Sequence, residues 1–383
     1  MTSSGAHAHE QSTQSTRVPL VAVLGGGQLG RMLALAGIPL GVRFRFLDPS
    51  PDAPARDVGD LVVAPLDDPG ALDDVSAGAD VVTYEWEGVP GAAARRLGSQ
   101  VAVYPPADAL TVSQDRLREK QLFSRLGIPV PRFLAVDDRG SLERAVAEVG
   151  LPAVLKTRVG GYDGKGQVVL RELGDLAGAW ESLGVPSIVE SFVPFTRELS
   201  VLGVRGADGE TRTWPLVENR HERGILRRSL APAPDVEAGF AERACSYMTT
   251  LLDELDYRGV LALEMFECGG GLLANEIAPR VHNSGHWTIE GAETSQFENH
   301  VRAVLGWPLG LTEASGVSVM VNCIGTLPEP DRVLRVDGAH LHRYGKSLRR
   351  GRKVGHVTVV AADRETLEQR LARLDTVMPG DDG

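Results

Sequence analysis

Lysine is scarce in this chain. Of 40 basic residues in 383, only Lys120, Lys156, Lys165, Lys346 and Lys353 are lysines. Arg has taken over the surface, so each surviving Lys is a candidate for a place where a compact point charge must meet a phosphate. Cysteine is scarcer still. Cys245, Cys268 and Cys323 lie far apart with no CxxC pair. That excludes a disulfide scaffold and a thiolate zinc site, and it suits a reducing cytoplasm. Apolar runs of membrane-spanning length are absent. A surplus of positive charge is absent too: net charge is -11 and the pI about 5.4, which disfavours a general binder of nucleic acid or membrane surfaces. The opening 17 residues are polar, lack an apolar core segment, and read as a disordered tail and not a signal peptide.

What is present reads as α/β. Val18 to Leu24 is a buried-strand run, followed by a glycine turn and an amphipathic helix from about Leu29. Strands are expected at "VRFRFLDPS", "ADVVTYEWE" and "QVAVYPP", so residues 18–112 form a parallel-sheet, Rossmann-like domain. A helix capped by Ser113 and stopped by Gly127 opens a second domain, residues 113–308. There "AVLKTRV", "QVVLR" and "SIVESFV" are short antiparallel strands. "RELSVLGVRG" and "TRTWPLVENRHERG" form a hairpin pair. A helix runs from about Val236 to Leu255, before two strands in "GVLALEMFECGGGLLANEIAPR". Residues 309–383 form a small C-terminal domain.

Five constellations carry chemistry. In "GGGQLG", Gly25, Gly27 and Gly30 match G-x-G-x-x-G between a strand and a helix, with Asp48 downstream. This is the outline of a nicotinamide-dinucleotide fingerprint, but a glycine turn entering a helix also seats other anions, or simply packs tightly. In "LKTRVGGYDGKGQ", Lys156 ends a strand and a loop of four glycines carries Tyr162, Asp163 and Lys165. Its glycines let backbone N–H groups approach phosphate oxygens; it lacks the Walker pattern.

The third constellation is a carboxylate pair. Period-2 alternation puts Val260, Ala262, Glu264 and Phe266 on one face of their strand. It puts Leu272, Ala274 and Glu276 on one face of the next. A turn centred on Gly270 sets Glu264 directly opposite Glu276, a repulsive arrangement that a divalent cation relieves. The fourth, "ANEIAPRVHNSGHWT", follows directly. Its Arg280, His282, Asn283, Ser284 and His286 can grip a small carboxylate or carbonate beside that metal. The fifth, "HRYGKSLRRGRKVGH", has six basic residues and no acidic one between Arg343 and Lys353. It reads as a solvated turn, an RNA contact or a pocket for a phosphate monoester.

Together these stretches resemble the ATP-grasp carboxylate–amine ligases. Within them the chain is similar to the 5-(carboxyamino)imidazole ribonucleotide synthases of purine biosynthesis, whose signatures look like "LGGGQLGRML", "GGYDGKGQ", "NEIAPRVHNSGHWT" and "GRKVGH", in that order. The resemblance implies an ATP-grasp fold of three domains, with ATP between two antiparallel sheets. It implies Arg116, Lys156 and Lys165 on the ATP phosphates, beneath a loop of Gly161, Tyr162, Asp163, Gly164, Lys165, Gly166 and Gln167. Glu190 and Val193 would meet the adenine and Glu198 the ribose, with His221 lining the nucleotide site. Glu264 and Glu276 would hold magnesium or manganese, with Asn275 beside them. The ribonucleotide would lie against Gly27, Gln28, Leu29, Glu85, Tyr162, Asp163, Lys165, Arg280, Asn283, Ser284, Lys346, Arg352 and Lys353.

The implied reaction is ATP-dependent carboxylation of aminoimidazole ribonucleotide with bicarbonate through carboxyphosphate. Arg280, His282, Asn283, Lys353 and Glu85 would be catalytic, with Glu85 or His282 moving the proton at the amine. A homodimer in the cytoplasm is implied as well. Competing readings are a formate-using ATP-grasp transformylase, an NAD(P)-dependent oxidoreductase and an RNA-binding module. Where some relatives carry Arg in the covering loop this chain has Lys165, which keeps the charge but loses a bidentate fork.

Overall fold

The computed structural model describes residues 17–161 and 164–379, so most of the expected tail lies outside them. The first layer is a parallel sheet of β1 (Leu20–Leu24), β2 (Arg43–Asp48), β3 (Asp60–Val63) and β4 (Val81–Tyr84), in the order β3-β2-β1-β4. All five residues of β1 are buried and apolar, as a central parallel strand covered on both faces requires. Val21 and Val23 pack on Leu29, Met32 and Leu33 of α1 (Gln28–Gly37). Ala22 and Leu24 share the opposite core with α2 (Pro69–Ser76), α3 (Gly91–Gly98) and α4 (Ala107–Ser113).

Two local expectations fail here. "QVAVYPP" contributes one bridge, Val82 to Val103, and no strand, because Pro105 and Pro106 lack the amides a ladder needs. β3, half-exposed at the sheet edge, shows no clean alternation and was not expected.

Asp115, and not Ser113, caps α5 (Arg116–Arg125), its carboxylate accepting the Leu117 amide at 3.0 Å. Ser113 is the last residue of α4, its hydroxyl donating back to the Leu110 carbonyl, so it lies inside the preceding helix and not at the start of the next. Gly127, at φ +70°, follows the helix end.

A small antiparallel sheet comes next. β5 (Phe133–Val136), β6 (Ala153–Thr157), β7 (Gln167–Leu170) and β8 (Ser187–Ser191) lie in the order β5-β8-β6-β7. They are backed by Leu142, Ala145 and Val146 of α6 (Arg139–Val149) and Leu176 and Ala179 of α7 (Asp175–Leu183).

The large sheet holds β9 (Arg197–Arg205), β10 (Thr211–Thr213), β11 (Val217–Glu222), β12 (Ile225–Ala231), β13 (Gly259–Cys268), β14 (Gly271–Ala278), β15 (Val317–Ile324), β16 (Ala339–Arg343) and β17 (Lys353–Ala361). The order is β14-β13-β9-β11-β12-β15-β17-β16, with β10 on β9. The C-terminal strands therefore continue the central sheet through the β12–β15 ladder, Arg228 to Val321 onward, and do not form a sheet of their own. α8 (Ala238–Glu254) covers one face through Phe240, Ala244, Met248 and Leu251. α9 (Thr288–Gly291) and α10 (Gln296–Leu305) lie on the other, where Phe297 and Val301 of α10 share a core with α1. α11 (Pro330–Val333) and α12 (Arg364–Asp375) cover β15 and β17. No helix among the described residues is long and apolar enough to cross a membrane.

His300 of α10 ties the layers together. Its Nδ1 accepts the Val260 amide of β13 at 3.1 Å, which leaves Nε2–H to donate to Thr83 Oγ1 of β4 at 2.8 Å. Burial pushes the His300 pKa down to about 3. The unfolded chain therefore binds this proton near pH 6.5 while the folded chain refuses it, so stability is lost as pH falls below 6.5. His300→Gln is expected to be less stable than wild type at pH 7.5. Its further loss between pH 6.5 and pH 4.5 should be smaller by about 1.4 kcal/mol per pH unit, read from urea midpoints across that range.

Candidate active site

The carboxylates of Glu264 and Glu276 do face each other, though by a different route from the expected one. Gly269 and Gly270, at φ +57° and +76°, make a two-residue turn that pairs Cys268 with Gly271 and Met265 with Ala274. Continued unchanged, that register would oppose Glu264 to Asn275. A bulge between Glu264 and Met265 inserts one residue on β14 and restores the Glu264–Glu276 pair. The bulge also reverses parity. Leu272 and Ala274 pack with Leu263 and Met265 under α8, so they do not share a face with Glu276, as simple alternation expected.

His282 lies over the pair. Its Nε2 is 3.0 Å from Glu264 Oε1, and its Nδ1 accepts the Ser284 amide at 3.3 Å and meets Ser284 Oγ at 2.8 Å. Burial works against charge on Glu264, but the His282 hydrogen bond, aided by His221 and Lys353, holds its pKa at about 2. Burial, and then the facing Glu264, raise the pKa of Glu276. Glu119 of α5, buried and accepting the Ile277 amide at 2.7 Å, is raised well above the carboxylate range by burial and by Glu276. Asn283 and Asn322 exchange side-chain hydrogen bonds at 2.6 and 3.1 Å. His286, although part of the same stretch, turns into the core, stacking near His356 and Phe297, and burial drives its pKa well down.

Basic groups converge from the small sheet and the start of α5. Arg116, the first residue of α5, donates to the carbonyls of Thr157 and Gly161 at 2.9 and 3.0 Å, tying the helix start to the glycine loop. Gln167 begins β7 opposite Lys156. Gly161, Gly164, Lys165 and Gly166 are placed in the loop, with Gly164 against Gly224 of the β11–β12 turn, so the loop reaches across to the large sheet. Tyr162 and Asp163 lie outside the described residues. Lys156 Nζ is 2.8 Å from Glu190 Oε2, and Lys120 Nζ is 3.5 Å from Glu190 Oε1. Burial alone would raise the Glu190 pKa; the two ammonium groups reverse that and hold it low. Lys120 also donates to the Asn275 carbonyl at 2.7 Å, so it grips the bulge itself. Lys120 belongs to none of the five motifs; its rarity as a Lys in this chain is the signal that marks it. Val193 follows β8, half-buried. Glu198 and His221 pair across β9 and β11, which favours imidazolium against the burial that opposes it.

The glycine turn is occupied from within. Glu85, just past β4, accepts the amides of Gly27, Leu29 and Gly30 at 2.9, 3.1 and 3.2 Å. Asp48 accepts the Gly26 amide at 2.8 Å. The amides of Gly27 and Leu29 are thus not a free anion seat. The turn's acid, Asp48, is spent on the turn and not presented to a nicotinamide ribose. The cause is tertiary: β4 delivers a carboxylate to a helix N-terminus whose dipole and orphan amides hold it. Burial raises the Glu85 pKa although the amides of Gly27 and Gly30, Lys346 and Arg280 favour its ionised form. Gln28 Oε1 accepts from Lys346 of the β16–β17 loop. Burial brings Lys346 down to about 8, against the pull of Glu85. Arg280 pairs with Glu87 at 2.8 Å, Arg352 donates to Ser347 Oγ at 2.8 Å, and Lys353 begins β17.

Among the described residues no cluster of three His, Cys, Asp or Glu side chains can enclose a metal ion. Glu264 and Glu276 nevertheless fit a magnesium or manganese ion that draws its remaining ligands from phosphate oxygens and water, because their opposition is the repulsion such an ion removes.

Three family descriptions match in succession: a ribonucleotide synthetase preATP-grasp domain over residues 19–114, an ATP-grasp domain over 121–297 and a phosphoribosylaminoimidazole carboxylase C-terminal domain over 318–370. The chain is 53% identical over 359 residues to the N5-carboxyaminoimidazole ribonucleotide synthase of Pseudomonas aeruginosa, covering 94% of this chain and 99% of that one. The crystal structure of N5-carboxyaminoimidazole ribonucleotide synthetase from Thermus thermophilus superposes with a TM-score of 0.91 at 55% identity, over 95% of this chain and 99% of that one. The N5-carboxyaminoimidazole synthase of Aspergillus clavatus, solved with ADP and 5-aminoimidazole ribonucleotide, gives a TM-score of 0.87 at 30% identity over 94% and 99%.

Glu190 is the counter-charge of two ammonium groups, buried Lys120 and half-buried Lys156. Glu190→Leu should destabilise the fold by about 3–5 kcal/mol, because it leaves the Lys120 and Lys156 ammonium groups without their counter-charge. Equilibrium urea unfolding at neutral pH measures the loss, and a change below about 1 kcal/mol would show that the lysines find other acceptors.

Proposed function

Because the chain belongs to the N5-carboxyaminoimidazole ribonucleotide synthases, a family of ATP-grasp ligases, we propose that it carboxylates 5-aminoimidazole ribonucleotide with ATP and bicarbonate, in purine biosynthesis. The observation that carries this reading is the Glu264–Glu276 pair with His282 over it, flanked by Lys156 on one side and Lys353 on the other. A homodimer and a cytoplasmic location belong to the same reading and rest on the family alone.

ATP lies between the small and large sheets, its phosphates met by Arg116, Lys156 and Lys165 under the glycine loop. Glu190 and Val193 border the adenine, and Glu198 with His221 borders the ribose. Glu264 and Glu276 would hold the magnesium, which would supply neutralisation of phosphate charge. Arg280, His282 and Asn283 grip bicarbonate. A bicarbonate oxygen attacks the γ-phosphorus, the bond to ADP breaks, and carboxyphosphate results. Carboxyphosphate then releases carbon dioxide and inorganic phosphate within a closed site.

The ribonucleotide phosphate is held by Lys346, Arg352 and Lys353, with Gln28 beside it; Ser284, expected there too, is fully buried and bonded to Ser200 and His282 instead. Its exocyclic amine attacks the carbon of carbon dioxide, and the amine proton passes to Glu85. Burial makes the Glu85 carboxyl a better proton acceptor than an exposed one. Proximity does much of the work, since carbon dioxide must meet the amine before it escapes.

Release of ADP by purified protein with magnesium and ATP, in buffer depleted of carbon dioxide, should require both the ribonucleotide and bicarbonate. Stimulation by formate in place of bicarbonate would point to the transformylase reading instead. Glu276→Gln should reduce bicarbonate-dependent ADP release by at least about 100-fold while leaving the far-ultraviolet circular dichroism unchanged. Unaltered turnover in that variant would remove Glu276 from the metal site.

A further inference from the structure

A line of buried polar side chains leads from the middle of the large sheet to His282. Ser229 Oγ of β12 donates to Asn219 Oδ1 of β11 at 2.7 Å, and Asn219 Nδ2 donates to Ser200 Oγ of β9 at 2.9 Å. Ser200 Oγ donates to Ser284 Oγ at 2.9 Å, and Ser284 Oγ meets His282 Nδ1 at 2.8 Å. Ser200, Ser229 and Ser284 are fully buried and Asn219 is 6% exposed. The surrounding positions on this face of the sheet are Leu202, Val204, Val217, Val260 and Ala262, all core. Four polar side chains in such company contribute little to stability over an apolar core, so their arrangement needs another reason. In register, Ser200 stands beside Glu264 on one side and Val217 on the other, next to the metal pair.

We propose that Asn219 and Ser200 are positioning residues for carboxylation, holding the Ser284 hydroxyl so that His282 keeps one ring orientation and carries its proton on Nε2, facing Glu264.

The polarity of the line follows from its ends. The Ser284 backbone N–H can only donate, and it points at His282 Nδ1. A Glu264 carboxylate oxygen lies 3.0 Å from Nε2, where the remaining ring proton finds its acceptor. Both ends place the imidazole proton on Nε2. Ser284 must then offer its hydroxyl proton to Nδ1, which it does when its own oxygen accepts from Ser200. Ser200 is turned that way by accepting from the Asn219 amide, and Asn219 is oriented by Ser229. Each residue of the line comes from a rigid strand except Ser284, in the short 3-10 turn Asn283–Gly285 after β14. Without Asn219, Ser200 loses its fixed donor and its hydroxyl can rotate. Ser284 then has no constraint to serve Nδ1, and the His282 ring can turn or take its proton on the wrong nitrogen. A lone pair on Nε2 would repel Glu264, and the bicarbonate grip would move.

The proposal rests on His282 standing at the bicarbonate end of the site, so kinetic and spectroscopic readouts are paired. Asn219→Ala and Ser200→Ala should lower kcat for carboxylation by about 10- to 100-fold, the range for partners that orient a ligating or catalytic group, while the KM for ATP stays near wild type. Ser200→Thr, which restores a hydroxyl, should recover most of kcat. In protein labelled with 15N-histidine, the ring signal missing from His282→Asn should show a proton on Nε2 in wild type. It should shift toward the other nitrogen or to an average in Asn219→Ala. Wild-type kcat in Asn219→Ala and Ser200→Ala, or an unchanged His282 ring pattern in both, overturns the proposal. Should Asn219→Ala fail to fold, Ser200→Ala carries both measurements. If wild-type turnover proves independent of bicarbonate, the carboxylation reading fails, while the ring pattern still decides whether the line orients His282.

Discussion

Two carboxylates, Glu264 and Glu276, stand opposite each other in a sheet where like charges in register are unfavourable. Much of the surrounding structure answers that opposition. His282 bonds Glu264 and keeps it ionised, while Glu276 shifts toward its protonated form. Lys120 and Lys156 sit nearby with Glu190 between them, a buried ion triad that the small sheet and α5 assemble together. The two carboxylates thus stand charged and opposed, an arrangement that fits a divalent cation carrying phosphate oxygens.

The backbone device behind the opposition is a single extra residue. Asn275 bulges out of β14, its carbonyl is taken by the Lys120 ammonium, and the strand beyond it presents Glu276 to the site instead of to the core under α8. A bulge placed this way turns a structural strand into a functional one without moving the sheet. The same economy operates at the glycine turn of the first domain. Glu85 closes the amides of α1 from the neighbouring strand, so the turn becomes a stiff base for Gln28 and Lys346 and not an open phosphate cradle.

The three layers meet in a shared core as well as at the site. α10 packs against α1 on one side and the large sheet on the other, and His300 hydrogen-bonds both β4 and β13. Continuation of the large sheet into β15–β17 carries Lys353 to the same region from the far end of the chain. Residues separated by some 260 positions in sequence, Glu85 and Lys346, thereby act on one small volume.

Much of the fold was legible locally. The buried run before "GGGQLG" marked β1, the glycines of "CGGGLL" marked the hairpin of β13 and β14, and the scarcity of lysine pointed at Lys120 and Lys156, which flank Glu190. The stretch from Arg280 to Ser284 stood out because it gathers polar groups directly after a carboxylate. Other features had no local signature. Ser200 and Asn219 are single polar residues in apolar or mixed strands, and nothing in "ELSVLG" says that Ser200 faces Ser284. Nor does the chain around Glu85 reveal that it caps a helix more than fifty residues earlier. Periodicity and turn chemistry act between neighbours in sequence, so the sequence alone determined which strands, turns and charged motifs exist. Which amide meets which carboxylate, which strand face carries Glu276 and which nitrogen of His282 holds the proton depend on contacts between distant segments. Only the packed tertiary structure decided those.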